Sequence, residues 1–471
     1  MIRQEARIDK ALAALRQQVA ADFDQFWQTI RASLLAGPVP FATLEAQVQA
    51  GLQPIGRRIV ETTATLDGAG LPAPACATCG RRLRRVEAAR PRELLGWFGS
   101  YTLARPYFVC PAGHGAAVPA DEAWGLGPRH LSPSLATLVS RLTIEMPFDQ
   151  VPEVVAAALH IAIDGDTVRR VVEGLGQVAE AAEQAAATAA TGPADGPRAP
   201  ITEMPVPAPT QPAPDGLVIA VDGAMVHTEG AWHEAKVGVC QPLRRTAEGP
   251  VVPHGEPDYC VGFESRAEFW RRLYAHAVAT GVTSPRCRLV ALIGDGAHWI
   301  WDDGAAYFGE AGRQLVDILD FYHAAEHVGT VAHAVWGEGT PAARDWAQGQ
   351  LTTLQAQGPD ALLDALAALD PETAPARTVV TRERGYFQYH RDRMHYPRYR
   401  ALGLPIGSGR VEGACKTVLK QRLSQAGMRW RVRGAQAVAT LRALHRSGRW
   451  AAFWATQPQR VRVLNLPRCA A

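Results

Sequence analysis

Three acids in this chain sit in settings suited to metal chemistry. Asp222 lies in Val221-Asp222-Gly223, Asp295 in Gly294-Asp295-Gly296, and Glu412 in Gly407-Ser408-Gly409-Arg410-Val411-Glu412 at the start of a helix. Glu412 is one of only two acids between Arg384 and Arg449, against fifteen Lys and Arg. A lone carboxylate in so basic a field is suited to hold a cation. The field itself is what a polyphosphate backbone seeks, because each neutralised phosphate releases condensed counterions. With Asp222 and Asp295 upstream to complete the site, Glu412 reads as a ligand of divalent metal placed against nucleic acid. Such a cluster is strongly repulsive unless a cation is bound. Two Mg2+ (or Mn2+) ions, bridged by Asp222 and held singly by Asp295 and Glu412, would activate a water or a 3′-hydroxyl and stabilise a leaving 3′-oxygen during in-line attack on phosphorus. Each acid also has a plainer reading on its own: the two Asp-Gly pairs as turns, and Glu412 as a first-turn acid favoured by the helix dipole.

The elements expected to position these acids follow from hydrophobic periodicity. Strands are expected at Gly216–Thr228, Glu234–Cys240 and Asp258–Glu264, then a helix Arg266–Thr280, a strand Arg288–Ile293, a helix Trp299–Phe308 and a strand Arg313–Leu319. That succession is the order of an RNase H-like fold. In it the first acid stands on strand one, the second just past the neighbouring strand four, and the third on a helix after strand five. The pattern from Val328 to Arg384 predicts an all-helical insertion, placing the catalytic core at 216–327, the insertion at 328–384, and the catalytic helix with the basic segment at 385–471.

Upstream, Cys76-x-x-Cys79, an alternating stretch Leu94–Val109 that predicts a hairpin, and Cys110-Pro111-Ala112-Gly113-His114 have the layout of a zinc-ribbon-like module at 71–125. Two knuckles across a hairpin close a tetrahedral Zn2+ site without a large core. A degraded knuckle without metal is the alternative, since the second pair is C-x3-H. The Arg81-Arg82-Leu83-Arg84-Arg85 cluster beside the first knuckle reads as a phosphate contact or as a solvated loop. Residues 1–70 predict a helical arm, with Leu12, Leu15, Val19 and Phe23 at helical spacing. Residues 126–184 predict a helical module in which Pro152–His160 and Thr167–Leu175, the latter capped by Asp166, form either a helix-turn-helix bearing Arg169 and Arg170 or a plain helical hairpin. An Ala/Pro-rich linker is expected at 185–215.

Asp320-Phe321-Tyr322-His323-Ala324-Ala325-Glu326-His327 follows the fifth strand. Its two histidines, one helical turn apart, can bind metal, position DNA, or support the active site with Asp320 and Glu326. Asp320 and Glu326 are also rivals to Glu412 for the third acid. In the basic segment, Arg410, Lys416, Lys420, Arg422, Arg429, Arg431 and Arg433 are expected on phosphates and Trp430 on a base, with core packing as the plainer role for any one aromatic such as those in Tyr386-Phe387-Gln388-Tyr389-His390. The net charge of +3 over 471 residues makes this basicity local, which favours a nucleic-acid partner over general stickiness. The eight cysteines do not suggest a disulfide scaffold, and those at 240, 260, 287, 415 and 469 read as ordinary thiols. No apolar run is long enough for a membrane span and the first residues lack a signal-peptide core, so a cytoplasmic protein, at the nucleoid when bound to DNA, is expected.

The blocks around Asp222, Asp295, Asp320–His327 and Gly403–Glu412, together with Arg422-Leu423 and Gly427-Met428-Arg429-Trp430, resemble those of bacterial insertion-sequence transposases of the ISKra type. The resemblance implies DDE-class chemistry at Asp222, Asp295 and Glu412, with a helical insertion similar to that of Mutator-like transposases. It implies binding of double-stranded DNA at terminal inverted repeats, cleavage there and strand transfer into target DNA. Because two ends must be synapsed, a homodimer or larger assembly is expected. At the second knuckle the chain departs from the C-x2-C expected of the family. An RNase H-fold nuclease or junction resolvase without strand transfer is the nearest rival reading, and an inactive DNA-binding regulator the next. The retention of all three acids argues against the regulator. Together these features predict a multidomain α/β protein: a zinc-ribbon-like module and a helical module ahead of an RNase H-like catalytic domain with an all-helical insertion.

Overall fold

A computed structural model describes residues 2–127, 130–192, 213–309 and 312–456 of the chain. Among the described residues it is a mixed α/β protein in two compact units, one running to Val172 and joined by 451–456, the other from Glu173 to Trp450.

In the first unit, α1 (Ile2–Leu35) and α2 (Phe41–Gly70) form the helical arm. They run antiparallel: Gln47 donates to Ser33, Arg58 pairs with Asp22, and Gly51 lies against Phe26, where a Cβ would stand 2.1 Å from the ring. Of the apolar residues that suggested this arm, Leu15 is buried while Leu12 and Phe23 are exposed. The hairpin is β1 (Arg84–Gly96) and β2 (Gly99–Val109), with β3 (Ala116–Ala117) on the far edge of β2. The first strand starts ten residues before the alternating stretch, as its outer half is exposed on both faces and carries no alternation. Leu94, Tyr101, Leu103 and Leu126 form the core of this unit against Val60 and Ala64 of α2.

After α3 (Pro119–Ala123) and α4 (Pro133–Thr143) come α5 (Val151–Leu159) and α6 (Gly165–Thr191). Here the structure corrects two expectations. The cap of α6 is Asp164, whose Oδ1 accepts from Thr167 N–H at 2.7 Å, whereas Asp166 lies inside the first turn. Asp166 instead pairs with Arg169 and Arg170, the two cations put forward for DNA. And α6 does not stop near Leu175: the Ala-rich run that looked like linker is a strong helix former and carries the helix to Thr191. The unit boundary falls inside this helix, between Val172 and Glu173. The rest of the expected linker, 193–212, lies outside the described residues, as does Cys469.

The second unit is built on a sheet of β4 (Gly216–Thr228), β5 (Ala231–Arg245), β6 (Val251–Pro253), β7 (Asp258–Gly262), β8 (Leu289–Gly294) and β9 (Gln314–Leu319). The strand order is β6-β5-β4-β8-β9, with β7 also paired to β5. β4 and β5 are antiparallel, while β4, β8 and β9 run parallel. Every residue of β8 is buried, as a parallel strand covered on both faces requires. Between strands lie α7 (Arg266–Thr280), opened by a Ser265/Glu268 capping box, and α8 (His298–Phe308). From β9 to the Glu412 loop the described residues are helical: α9 (Phe321–Trp336), α10 (Pro341–Gln357), α11 (Pro359–Ala367), α12 (Ala374–Tyr389) and α13 (Tyr396–Leu402). Then come α14 (Gly409–Ala414), a π-helical turn (Cys415–Lys420), α15 (Gln421–Leu423), α16 (Val432–Arg446) and, in the first unit, α17 (Trp450–Thr456). Among the described residues no helix is long and apolar enough to cross a membrane.

Candidate carboxylate site and cysteine–histidine cluster

The parallel pairing of β4 with β8 runs through Ala220 opposite Ile293. Asp222, within β4, and Asp295, just past the end of β8, each stand two residues beyond that last pair. The β8–β9 pairing ends at Gly294 opposite Leu319, so Asp320 comes next, just past the third strand. Asp222, Asp295 and Asp320 therefore lie toward the end of the sheet where β8 and β9 stop, while β4 runs on to Thr228.

Asp222 is half-buried; its Oδ1 accepts from Gly223 N–H at 2.7 Å and its Oδ2 from Cys415 Sγ at 3.4 Å. Burial holds its carboxyl above the usual carboxylate range; the two hydrogen bonds oppose this, while the charges of Asp295 and Glu412 add to it. Asp295 Oδ1 accepts from Ala297 N–H at 3.0 Å, turning the chain into α8, and its backbone carbonyl accepts from Tyr386 Oη at 3.2 Å. Gly296 between them has φ +105, and a Cβ there would meet Tyr386 Oη at 2.8 Å.

Glu412 is 42% exposed and reaches Lys416 Nζ at 4.0 Å. Ser408 links it to the sheet: its hydroxyl donates to Asp320 Oδ2 and stands 3.2 Å from Glu412 Oε1. Phe321 N–H donates to Ile406 O at 2.9 Å, tying the start of α9 to the same loop. Asp320 is buried and committed to structure, since its Oδ1 also caps α9 through Tyr322 N–H at 2.8 Å. Glu326 is 77% exposed and faces His323, with Oε2 3.5 Å from Nδ1. Of the rivals for the third acid, Asp320 is in the cluster as the Ser408 partner, and Glu326 is turned to solvent.

Ser408, Cys415 and Tyr386 were not singled out by sequence reasoning. Only Ser408 carried a signal, the flexible Gly-Ser-Gly around it. Cys415 sits on the π-helical turn, a distortion frequent at functional sites. Arg442 holds that turn, its Nε donating to Val418 O at 2.7 Å and its Nη2 to Thr417 O. Burial, and then the Asp222 carboxylate, push the Cys415 thiol well up, so it is no ordinary surface thiol.

The basic segment divides. Arg410, Lys416, Lys420, Arg429, Arg431 and Arg433 are exposed, with Arg410 also donating to Gln241 Oε1 at 2.8 Å. Arg422 and Trp430 correct the sequence expectation. Arg422 is fully buried over the Trp430 ring at 5.0 Å and donates to Met428 Sδ, and desolvation lowers its pKa to about 10. Trp430 is also buried and donates to Leu423 O at 3.1 Å. Both close the core beneath α16 instead of facing a nucleic acid.

In the first unit, Cys76, Cys79, Cys110 and His114 converge so that one ligand atom of each lies within 4.8 Å of the others, a group able to hold a metal ion. Cys79 Sγ is 3.7 Å from Cys110 Sγ, and His114 Nδ1 is 3.9 Å from both Cys76 Sγ and Cys110 Sγ. The extra residue of the C-x3-H knuckle is absorbed at Gly113, φ +75, which no β-carbon residue adopts readily. The backbone N–H of Cys79, followed by that of Thr78, lowers the Cys76 thiol to about 6, so one ligand is largely thiolate at neutral pH.

A scan of protein-family models and a search of curated proteins return no match to this chain.

Proposed function

We propose that this chain is a DDE-class DNA transposase, with an RNase H-like catalytic domain, that binds the terminal inverted repeats of an insertion sequence and cleaves and joins DNA there. The observation that carries the reading is that Asp222 and Asp295 each stand two residues past the last β4–β8 pair, with Ser408 joining Glu412 to Asp320 just past β9. The strand order of the sheet and the helical stretch between β9 and α14 support the same fold reading. So does the row of exposed cations that follows Glu412.

The donor atoms are of the type a hard divalent cation takes, although among the described residues only the cysteine–histidine group gathers three or more ligand atoms within 4.8 Å. They are carboxylate oxygens from Asp222, Asp295 and Glu412, and Asp222 is held protonation-prone by burial and by its acidic neighbours, a penalty that a bound cation reverses. These residues would hold Mg2+ or Mn2+, two ions in the expected scheme, which when bound supply activation of the attacking oxygen and stabilisation of the leaving one. The chain's own contributions are positional. The Gly223 and Ala297 amides and the Cys415 thiol aim the two aspartates. Ser408 keeps Glu412 against the sheet edge, and Tyr386 braces the Asp295 backbone. Arg410, Lys416, Lys420, Arg429, Arg431 and Arg433 would neutralise phosphates of double-stranded DNA, both element ends and target. Joining two ends calls for a homodimer or larger assembly.

The cysteine–histidine cluster would hold structural Zn2+. Two thiolates each about 2.3 Å from a tetrahedral ion stand roughly 3.8 Å apart, and Cys79 and Cys110 Sγ are separated by 3.7 Å. Zinc there would lock the base of the hairpin, beside the exposed Arg81, Arg82, Arg84 and Arg85, as a DNA-binding module.

The test is cleavage and strand transfer by the purified protein on the DNA flanking its gene, with Mg2+ and with chelator. Wild type is compared with Asp295→Asn, Glu412→Gln and Glu326→Gln. Mg2+-dependent 3′-end joining that survives Glu326→Gln and is lost in the other two is expected, with DNA binding retained throughout. Cleavage without joining would turn the reading to a nuclease or resolvase; full activity in Asp295→Asn would refute it.

A further inference from the structure

The geometry points to a second transition-metal site on α9, made by His323 and His327 and distinct from both the carboxylate cluster and the cysteine–histidine cluster. The inference does not rest on the transposase reading. His323 and His327 are one helical turn apart, and their Nε2 atoms face each other at 3.3 Å. That is longer than the usual hydrogen bond, about 2.7–3.2 Å. It is the separation of two imidazole nitrogens each about 2.0 Å from a shared tetrahedral ion, roughly 3.3 Å.

The far nitrogens decide which atoms carry lone pairs. His327 Nδ1 is 2.6 Å from Glu383 Oε2, and Glu383 is 3% exposed, its other oxygen accepting from Arg382 at 2.7 Å. A proton on Nδ1, donated to that carboxylate, is the tautomer that frees Nε2 as a metal ligand. His323 Nδ1 faces Glu326 Oε2 at 3.5 Å, so the same tautomer is open to it. With both rings in that tautomer the two Nε2 lone pairs face each other at 3.3 Å, where a cation fits between them. A carboxylate behind each ligating imidazole is the usual outer shell of a histidine-bound metal. The ring of His327 is fixed further by stacking on Tyr386, with centroids 3.8 Å apart and planes at 13°.

Access is open. The His323 and His327 side chains are 35% and 25% exposed. His323 and Asp295 both line a cavity of about 590 Å3, wide enough for the water or anionic oxygen ligands that would complete the coordination. Imidazole donors favour a borderline ion such as Zn2+, Co2+ or Ni2+ over Mg2+.

Zinc uptake by the full-length protein, measured by equilibrium dialysis and elemental analysis in excess Mg2+, tests the site. Wild type should bind one equivalent more than His323→Ala or His327→Ala, while Cys76→Ser loses a different equivalent and the Cys76→Ser/His323→Ala double variant loses both. Glu383→Gln should retain the site with affinity lower by about 10–100-fold. Circular dichroism of each variant checks folding, and His323→Gln, a half-exposed replacement, decides the matter if His327→Ala unfolds. Equal zinc in wild type and both histidine variants, or uptake abolished by Mg2+, overturns the proposal.

Discussion

Arg272→Ala should be far more damaging than Arg266→Ala, although both arginines lie on α7 and both grip carboxylates at similar distances. Arg272 is fully buried, with Nη2 2.6 Å from Glu183 Oε2, Nη1 2.6 Å from Glu264 Oε1, and Nη2 also donating to Val261 O at 3.0 Å. Glu183 is itself only 9% exposed, so it cannot recover hydration when its partner goes. Removing one member of a buried pair costs about 3–5 kcal/mol, chiefly because a charge is left uncompensated. Arg266 is 49% exposed, and its Nε–Asp303 Oδ2 contact at 2.5 Å is screened by water. Such surface pairs are worth about 0–1 kcal/mol. At about 2–4 °C per kcal/mol for a domain of this size, Arg272→Ala should lower Tm by roughly 6–20 °C and Arg266→Ala by no more than about 4 °C. Differential scanning calorimetry and urea denaturation of both variants provide the comparison. A loss in Arg272→Ala no greater than in Arg266→Ala would refute the reasoning, and with it the view that this cluster ties α6 to the sheet through β7 and α7.

The same cluster predicts a two-sided pH dependence. Burial opposes ionisation of Glu183 and Asp258, yet Arg272, His276 and Arg449 around Glu183, and His276 and Arg449 around Asp258, hold both carboxyls below their usual range, so their contribution is complete above about pH 4.5 and lost as pH falls. Burial also opposes charge on His276, but Asp258, 2.9 Å away, raises its pKa well above the usual histidine value. Its contribution is therefore complete below about pH 6.5 and lost as pH rises through the folded-state value. Tm measured against pH should show both limbs, and His276→Gln should remove the alkaline one; an unchanged alkaline limb would contradict the assignment. For the cysteine cluster, Cys110→Ser removes the ligand 3.7 Å from Cys79 and 3.9 Å from His114. Elemental analysis should find one equivalent of zinc fewer than in wild type, and equal zinc would rule out a Cys3His site.

The sequence by itself determined the local elements and the candidate chemistry. Period-2 and helical patterns were strong enough to place β4 at Gly216–Thr228 and α7 at Arg266–Thr280, because each buries a continuous apolar face. The two cysteine knuckles were legible because metal ligands must come at short, fixed spacings. What depends on distant residues was not legible. Arg422 and Trp430 have the composition of a DNA contact, and only the packing of α16 over them shows that they are core. Helix α6 ran past its expected end because an Ala-rich run reads equally as linker or helix until a sheet offers it a face, and Glu183 with Arg272 supplies that anchor. Cys415 and Ser408 joined the acids through hydrogen bonds spanning 193 and 88 residues. The placement of Asp222 and Asp295 two residues past the same strand pair likewise follows from pairing between β4 and β8, strands far apart in the chain. Periodicity reports which side of an element is apolar; which neighbour it meets, and therefore which polar atoms converge, is set by tertiary packing alone.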